Sequence, residues 1–125
     1  MEFIHAPKAC ASVGPYSHCV KAGSTYYLCG QVPFHPVTGE VVGNGMKEQA
    51  VQTLANMKAV LEAAGLAVTD IAKTTVFVTN MDDFAAFNEV YAAFMGEHRP
   101  ASVCVEVSNI AHGCLLEMDA ICFKE

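Results

Sequence analysis

The chain has 125 residues with 13 Asp or Glu against 7 Lys or Arg, a formal net charge of −6. That length predicts one domain over 1–125, and 53% hydrophobic against 16% charged residues excludes a disordered chain. No apolar run approaches the roughly 20 residues that cross a bilayer, and the scattered basic residues draw no stripe for nucleic acid, so neither membrane nor nucleic acid is an expected partner.

The opening Met1-Glu-Phe-Ile-His-Ala-Pro7 lacks the basic start and long apolar stretch of a secretory signal. The six cysteines, Cys10, Cys19, Cys29, Cys104, Cys114 and Cys122, include no Cys-x-x-Cys pair. Free thiols and a cytoplasmic location are therefore expected. The first third holds short apolar runs split by Gly14-Pro15, Gly23-Ser24 and Pro33-x-x-Pro36, with a predicted strand from Thr25 to Val32.

The period then changes. Met46, Ala50, Leu54, Met57, Leu61 and Ala64 recur at steps of three and four, which predicts a helix over 46–64 stopped by Gly65. Asp70 to Thr79 returns to β-branched and aromatic residues. Asp82 is the predicted cap of a second helix over 82–95, carrying Phe84, Phe87, Tyr91 and Phe94 and ended by Gly96. Two strands close the chain. In Ser102–Val107, Ser102, Cys104 and Glu106 share one face; in Leu115–Phe123, Glu117 and Asp119 share one. This order predicts an α+β domain with two layers, a mixed sheet carrying both helices on one face. Apolar residues on both sides of the strands call for a second cover, most simply another subunit.

Few residues point to chemistry by themselves. Glu117 lies among Leu115, Leu116 and Met118. It is either solvated on an outward face with Asp119, or pocketed, where a raised pKa suits general acid/base work. Cys104 reads as a packing residue. Tyr16, in the turn after Gly14-Pro15, covers surface or donates to a ligand. Arg99, the only arginine, is an exposed loop charge or a carboxylate clamp. The histidines lack metal-ligand spacing and no phosphate-binding glycine motif is present, so no metal and no nucleotide cofactor is expected.

Longer stretches carry a resemblance. Gly14-Pro-Tyr-Ser-His18, Cys29-Gly-Gln-Val-Pro33, Pro36-Val-Thr-Gly-Glu40, Gln49 to Asn56, Lys73-Thr-Thr-Val-Phe-Val78, Asn88-Glu-Val-Tyr91, Val103-Cys-Val-Glu-Val107 and Leu116 to Ile121 together resemble the YjgF/RidA family, in its order and over essentially the whole chain. The resemblance implies a chorismate-mutase-like subunit, a homotrimer with clefts between subunits, and no cofactor. It implies hydrolysis of reactive 2-enamines and 2-imines to 2-keto acids and ammonia. Its site residues match Tyr16, Gly30, Asn88, Cys104 and Glu117, with Glu117 handling water. The family's carboxylate-clamping arginine does not carry over: that position, after Pro100-Ala101, is Ser102. The resemblance thus implies an imino- or enamino-acid hydrolase with altered preference, with Arg99 as a candidate replacement clamp. The alternatives are a small-ligand-binding trimer without that catalysis, and an endoribonuclease or translation inhibitor as older family labels have it.

Overall fold

The computed structural model describes residues 1–125. Strands β1 (Glu2–Ile4), β2 (Cys19–Ala22) and β3 (Thr25–Gln31) precede helix α1 (Met46–Ala63). Strand β4 (Ile71–Val78), helix α2 (Phe84–Met95) and strands β5 (Ala101–Glu106) and β6 (Leu116–Phe123) complete the chain. All six strands join one sheet in the order β1-β2-β3-β6-β4-β5. Only β4 and β5 run parallel, and α2 is the crossover such a pair requires.

Two-residue alternation along β6 sets the layers. Leu116, Met118, Ala120 and Cys122 are buried, whereas Glu117, Asp119, Ile121 and Phe123 are half-buried or exposed. The first set packs with Leu54, Met57, Val60, Leu61 and Phe87 of the two helices in the main core. The fold is therefore the expected α+β mixed sheet with two helices on one face. The second set lies on the other face, which no helix covers; only at its Phe77 end does a small cluster of Phe34, Ile110 and Cys114 pack against it. There Tyr27 pairs with Ile121, Thr75 with Asp119 and Val103, and Phe77 with Glu117 and Val105.

One local expectation needs correction. Asp82 does not cap the second helix. A 3-10 turn over Met81–Asp83 precedes α2, and the Asn80 side chain accepts from the Asp82 N–H at 2.9 Å. Asn80 takes the cap because the extra turn moves the free N–H groups two residues upstream of the helix proper. Glu106 of β5 accepts from the Met81 N–H at 2.8 Å, fastening the same turn to the sheet edge.

Two buried amides of α1 tie the helix to the loops around the sheet. Asn56 Nδ2 donates to the carbonyls of Val32 and Phe34, each at 2.9 Å, and its Oδ1 accepts from Gln52. Gln49 Oε1 accepts from the Leu115 N–H at 2.8 Å and its Nε2 donates to Gly43 O at 3.1 Å. Both side chains are buried. Asn56→Ala strands two carbonyls that water reaches poorly, at a cost of about 1–3 kcal/mol. Urea unfolding is expected to show that loss; Asn56→Ala with an unshifted midpoint would refute the anchoring role.

Candidate functional site

A cavity of about 310 Å³ opens where the loop before β2 crosses the end of β3 and the start of β6. Tyr16, His18, Cys29, Gly30, Gln31 and Glu117 are among its lining residues. That volume is at the small end of ligand pockets and suits a metabolite of a few heavy atoms.

Glu117 is the cavity's carboxylate. Burial pushes its pKa above the ordinary value, and the like charge of Asp119 adds to the shift. It reaches its place because Gly30 on the neighbouring strand has no side chain. A Cβ at Gly30 would lie 2.2 Å from Glu117 Oε2 and 2.9 Å from Cδ. Sheet pairing is irregular between Leu28 and Gln31, which brings the Gly30 backbone against the carboxylate.

The loop that covers the cavity is held by His18, a residue whose role the sequence did not reveal. His18 is 2% exposed. Its Nδ1 accepts from the Ala6 N–H at 3.1 Å, and its Nε2 faces the Cys10 carbonyl at 2.8 Å. A carbonyl only accepts, so Nε2 carries the hydrogen and the ring is neutral. One imidazole thus clips together residues 6, 10 and 18. The only signal was a histidine at the end of Gly14-Pro-Tyr-Ser-His18. Within the clipped loop, Tyr16 turns back so that its hydroxyl accepts from the Val13 N–H at 3.3 Å.

Gln31 Nε2 donates to Cys29 Sγ at 3.1 Å. The Cys29 thiol is nevertheless raised, by burial first, with Gln31 opposing and Glu117 adding. All six cysteines are unpaired. Burial pushes Cys19 and Cys114 up to about 11 and Cys122 up to about 12, so these buried thiols stay protonated. No three His, Cys, Asp or Glu side chains gather in a metal-binding arrangement.

The structure thus brings Tyr16, Gly30 and Glu117 together and places the other candidates elsewhere on the subunit. Ser102 lies on edge strand β5, where Thr74 Oγ1 donates to its hydroxyl at 2.8 Å and Tyr91 donates to Thr74 at 2.8 Å. Cys104, two residues on, packs half-buried against the main core, and burial raises its thiol. Asn88 and Arg99 line a shallow surface depression of about 190 Å³ beside α2. Arg99 Nη1 donates to Gly96 O at 2.6 Å and His98 O at 2.9 Å. It thereby satisfies carbonyls that the end of α2 leaves open, near Gly96 at φ 64°.

Fold and cavity define an α+β subunit with a small cavity over a half-buried carboxylate on the side of its sheet away from the helices. The sequence model of the family described as Endoribonuclease L-PSP matches residues 5–124. A RutC family protein of Pyrococcus horikoshii is 47% identical over 124 residues, covering 99% of this chain and 98% of that protein. The 2-iminobutanoate/2-iminopropanoate deaminase of Escherichia coli K12 is 44% identical over 124 residues, covering 97% and 96%. Among solved structures, a putative endoribonuclease of Thermotoga maritima superposes with a TM-score of 0.96 at 41% identity, covering 100% and 98% of the two chains. Escherichia coli TdcF with bound serine superposes with a TM-score of 0.94 at 40% identity, covering 100% of both. The chain belongs to the YjgF/RidA family, also described as Endoribonuclease L-PSP.

Gly30→Ala tests the close approach. Gly30 has an ordinary backbone conformation, and the clashing atoms are the far end of a flexible side chain. The variant is expected to fold with a stability loss of about 1 kcal/mol or less. The displaced Glu117 carboxyl should titrate nearer the usual carboxylate range, read by NMR. An unmoved Glu117 titration would show that the contact does not position it.

Proposed function

We propose that this chain hydrolyses reactive imines and enamines to carbonyl compounds and ammonia, with a substrate preference altered by Ser102. The observation that carries the reading is Glu117: a carboxyl raised by burial, on a cavity wall that a missing side chain holds open. The deaminase relative in Escherichia coli supports the reaction class.

An imine carbon is already electrophilic, so positioning and one base suffice. Ionised Glu117 accepts a proton from a bound water as its oxygen bonds to the C=N carbon, and the π pair moves to nitrogen. Protonated Glu117 then returns that proton to nitrogen. Glu117 then carries the hydroxyl proton of this carbinolamine to nitrogen as the C–N bond breaks, so that ammonia leaves and the oxygen becomes a carbonyl. An enamine enters the same route after protonation on carbon. Tyr16 closes the cavity from the loop, and no cofactor is called for.

The uncovered sheet face supports a homotrimer with clefts between subunits. Tyr27, Val103, Val105, Ile121 and Phe123 on that face are each at least 36% exposed. Cover by copies of the chain removes that surface from water. In this reading Ser102, Cys104 and Asn88 act as substrate-binding residues contributed across the cleft, while Arg99 stays with the end of α2. Light scattering at micromolar protein is expected to give three times the 13.3 kDa chain mass; a monomer would overturn it. The net charge of −6 and the single arginine speak against the endoribonuclease reading.

The reaction is tested by generating imines in situ with an oxidase and timing ammonia release. Glu117→Gln keeps the shape and removes the base, so the rate is expected to fall by about 100-fold or more with the oligomer intact. The wild-type rate should rise with pH through an apparent pKa above the ordinary carboxylate value. Burial and Asp119 both favour the protonated form, and only the ionised form takes a proton from water. Unchanged turnover in Glu117→Gln would remove Glu117 from the mechanism.

A further inference from the structure

We infer that the molecule bound over Glu117 carries no carboxylate, and that the cavity selects a neutral or cationic C=N group such as an aldimine or iminium. The inference rests on the imine reading above and adds a substrate class to it.

The argument is one of charge. The residues lining the cavity include no Lys and no Arg, and their one acidic side chain is Glu117. A second carboxylate placed about 5 Å from it, at an effective dielectric constant of about 20, loses on the order of 100-fold in binding. The candidate cations closest to this reading are engaged elsewhere or set apart from the cavity. The His18 ring lines the cavity, yet its Nδ1 accepts a backbone N–H and its Nε2 faces a carbonyl, so it is neutral. Arg99 is held by the Gly96 and His98 carbonyls of its own chain. Ser102 accepts from Thr74 and has no charge to offer. Lys73 stands opposite Ile121 on the open face, two rungs from the Phe77–Glu117 pair, and the Thr75–Asp119 rung lies between. Asp119 thus places a second negative charge between the lysine and the cavity.

The groups present suit the opposite ligand. Ionised Glu117 attracts a protonated imine nitrogen, the form whose carbon water attacks most readily. Val32, Phe34 and Ala111 supply apolar wall for a short alkyl chain.

Propanamidinium and propanoate are isosteric and differ in charge, so they probe the sign directly. Calorimetry on the wild-type protein is expected to show propanamidinium binding at least about tenfold more tightly than propanoate. Glu117→Gln should erase that preference. Ser12→Lys, which places a cation on the cavity lining, should shift it toward propanoate. In parallel, propan-1-imine (from propylamine and an amine oxidase) should release ammonia faster with the protein, relative to its spontaneous rate, than 2-iminobutanoate does (from 2-aminobutanoate and an amino-acid oxidase). Equal or tighter binding of propanoate, or a greater acceleration of 2-iminobutanoate, overturns the inference and leaves imine hydrolysis standing. Propanoate binding that disappears in Arg99→Gln overturns it too. A propanamidinium preference with neither imine accelerated supports the charge selection and sinks the hydrolase reading instead.

Discussion

The register of β6 is the constraint on which the rest of the molecule depends. This strand lies inside the sheet, antiparallel to β3 on one side and β4 on the other. Its even-numbered residues meet the helices and its odd-numbered ones face away from them. A slip of one residue would send Glu117 and Asp119 into the core and Met118 and Ala120 out of it. The core therefore sets where the carboxylate emerges, and the site needs no separate device to choose the face. Chemistry and packing share one strand, on alternate residues.

Depth and mouth are set from the helix side. Gln49 and Asn56 are polar residues on a buried helix face shared with Met46, Ala50, Thr53, Leu54, Met57, Val60 and Leu61, and each hydrogen-bonds the backbone of a segment bordering the cavity. Asn56 holds the turn that follows β3, and Gln49 holds the residue that precedes β6. Their removal reaches the site through the loops, without any contact to a ligand. His18 plays the matching part from the other end, gathering the loop that carries Tyr16. These three side chains make irregular backbone behave as a fixed wall.

Periodic elements were legible in the sequence because burial imposes the period: the 46–64 helix pattern and the alternating last strand both stand in the structure within a residue or two. Glu117 was legible as a carboxylate set among apolar neighbours, although either of two faces fitted that pattern. What escaped was geometry between distant segments. Nothing near Asn56 in sequence announces the carbonyls of Val32 and Phe34. The Asn80 cap was hidden by a 3-10 turn that moved the helix start past Asp82. Arg99 read equally as a clamp or a loop charge, since only the fold shows that the end of α2 leaves carbonyls beside it. The apolar residues on both strand faces did forecast the uncovered side of the sheet, because a two-layer subunit can bury only one of them.

The close approach of Gly30 to Glu117 also bears on how such a chain can diverge. The space at the end of the carboxylate is shared property: a methyl group at position 30 and a full-length side chain at position 117 compete for one volume. Changes at either position are conditional on the other, so the two are expected to drift as a pair. A lineage that shortens residue 117 frees position 30 to vary, and once that position has filled, restoring a glutamate would no longer restore the site. The loss of this carboxylate would then be an evolutionary ratchet, easy to enter and hard to reverse one substitution at a time.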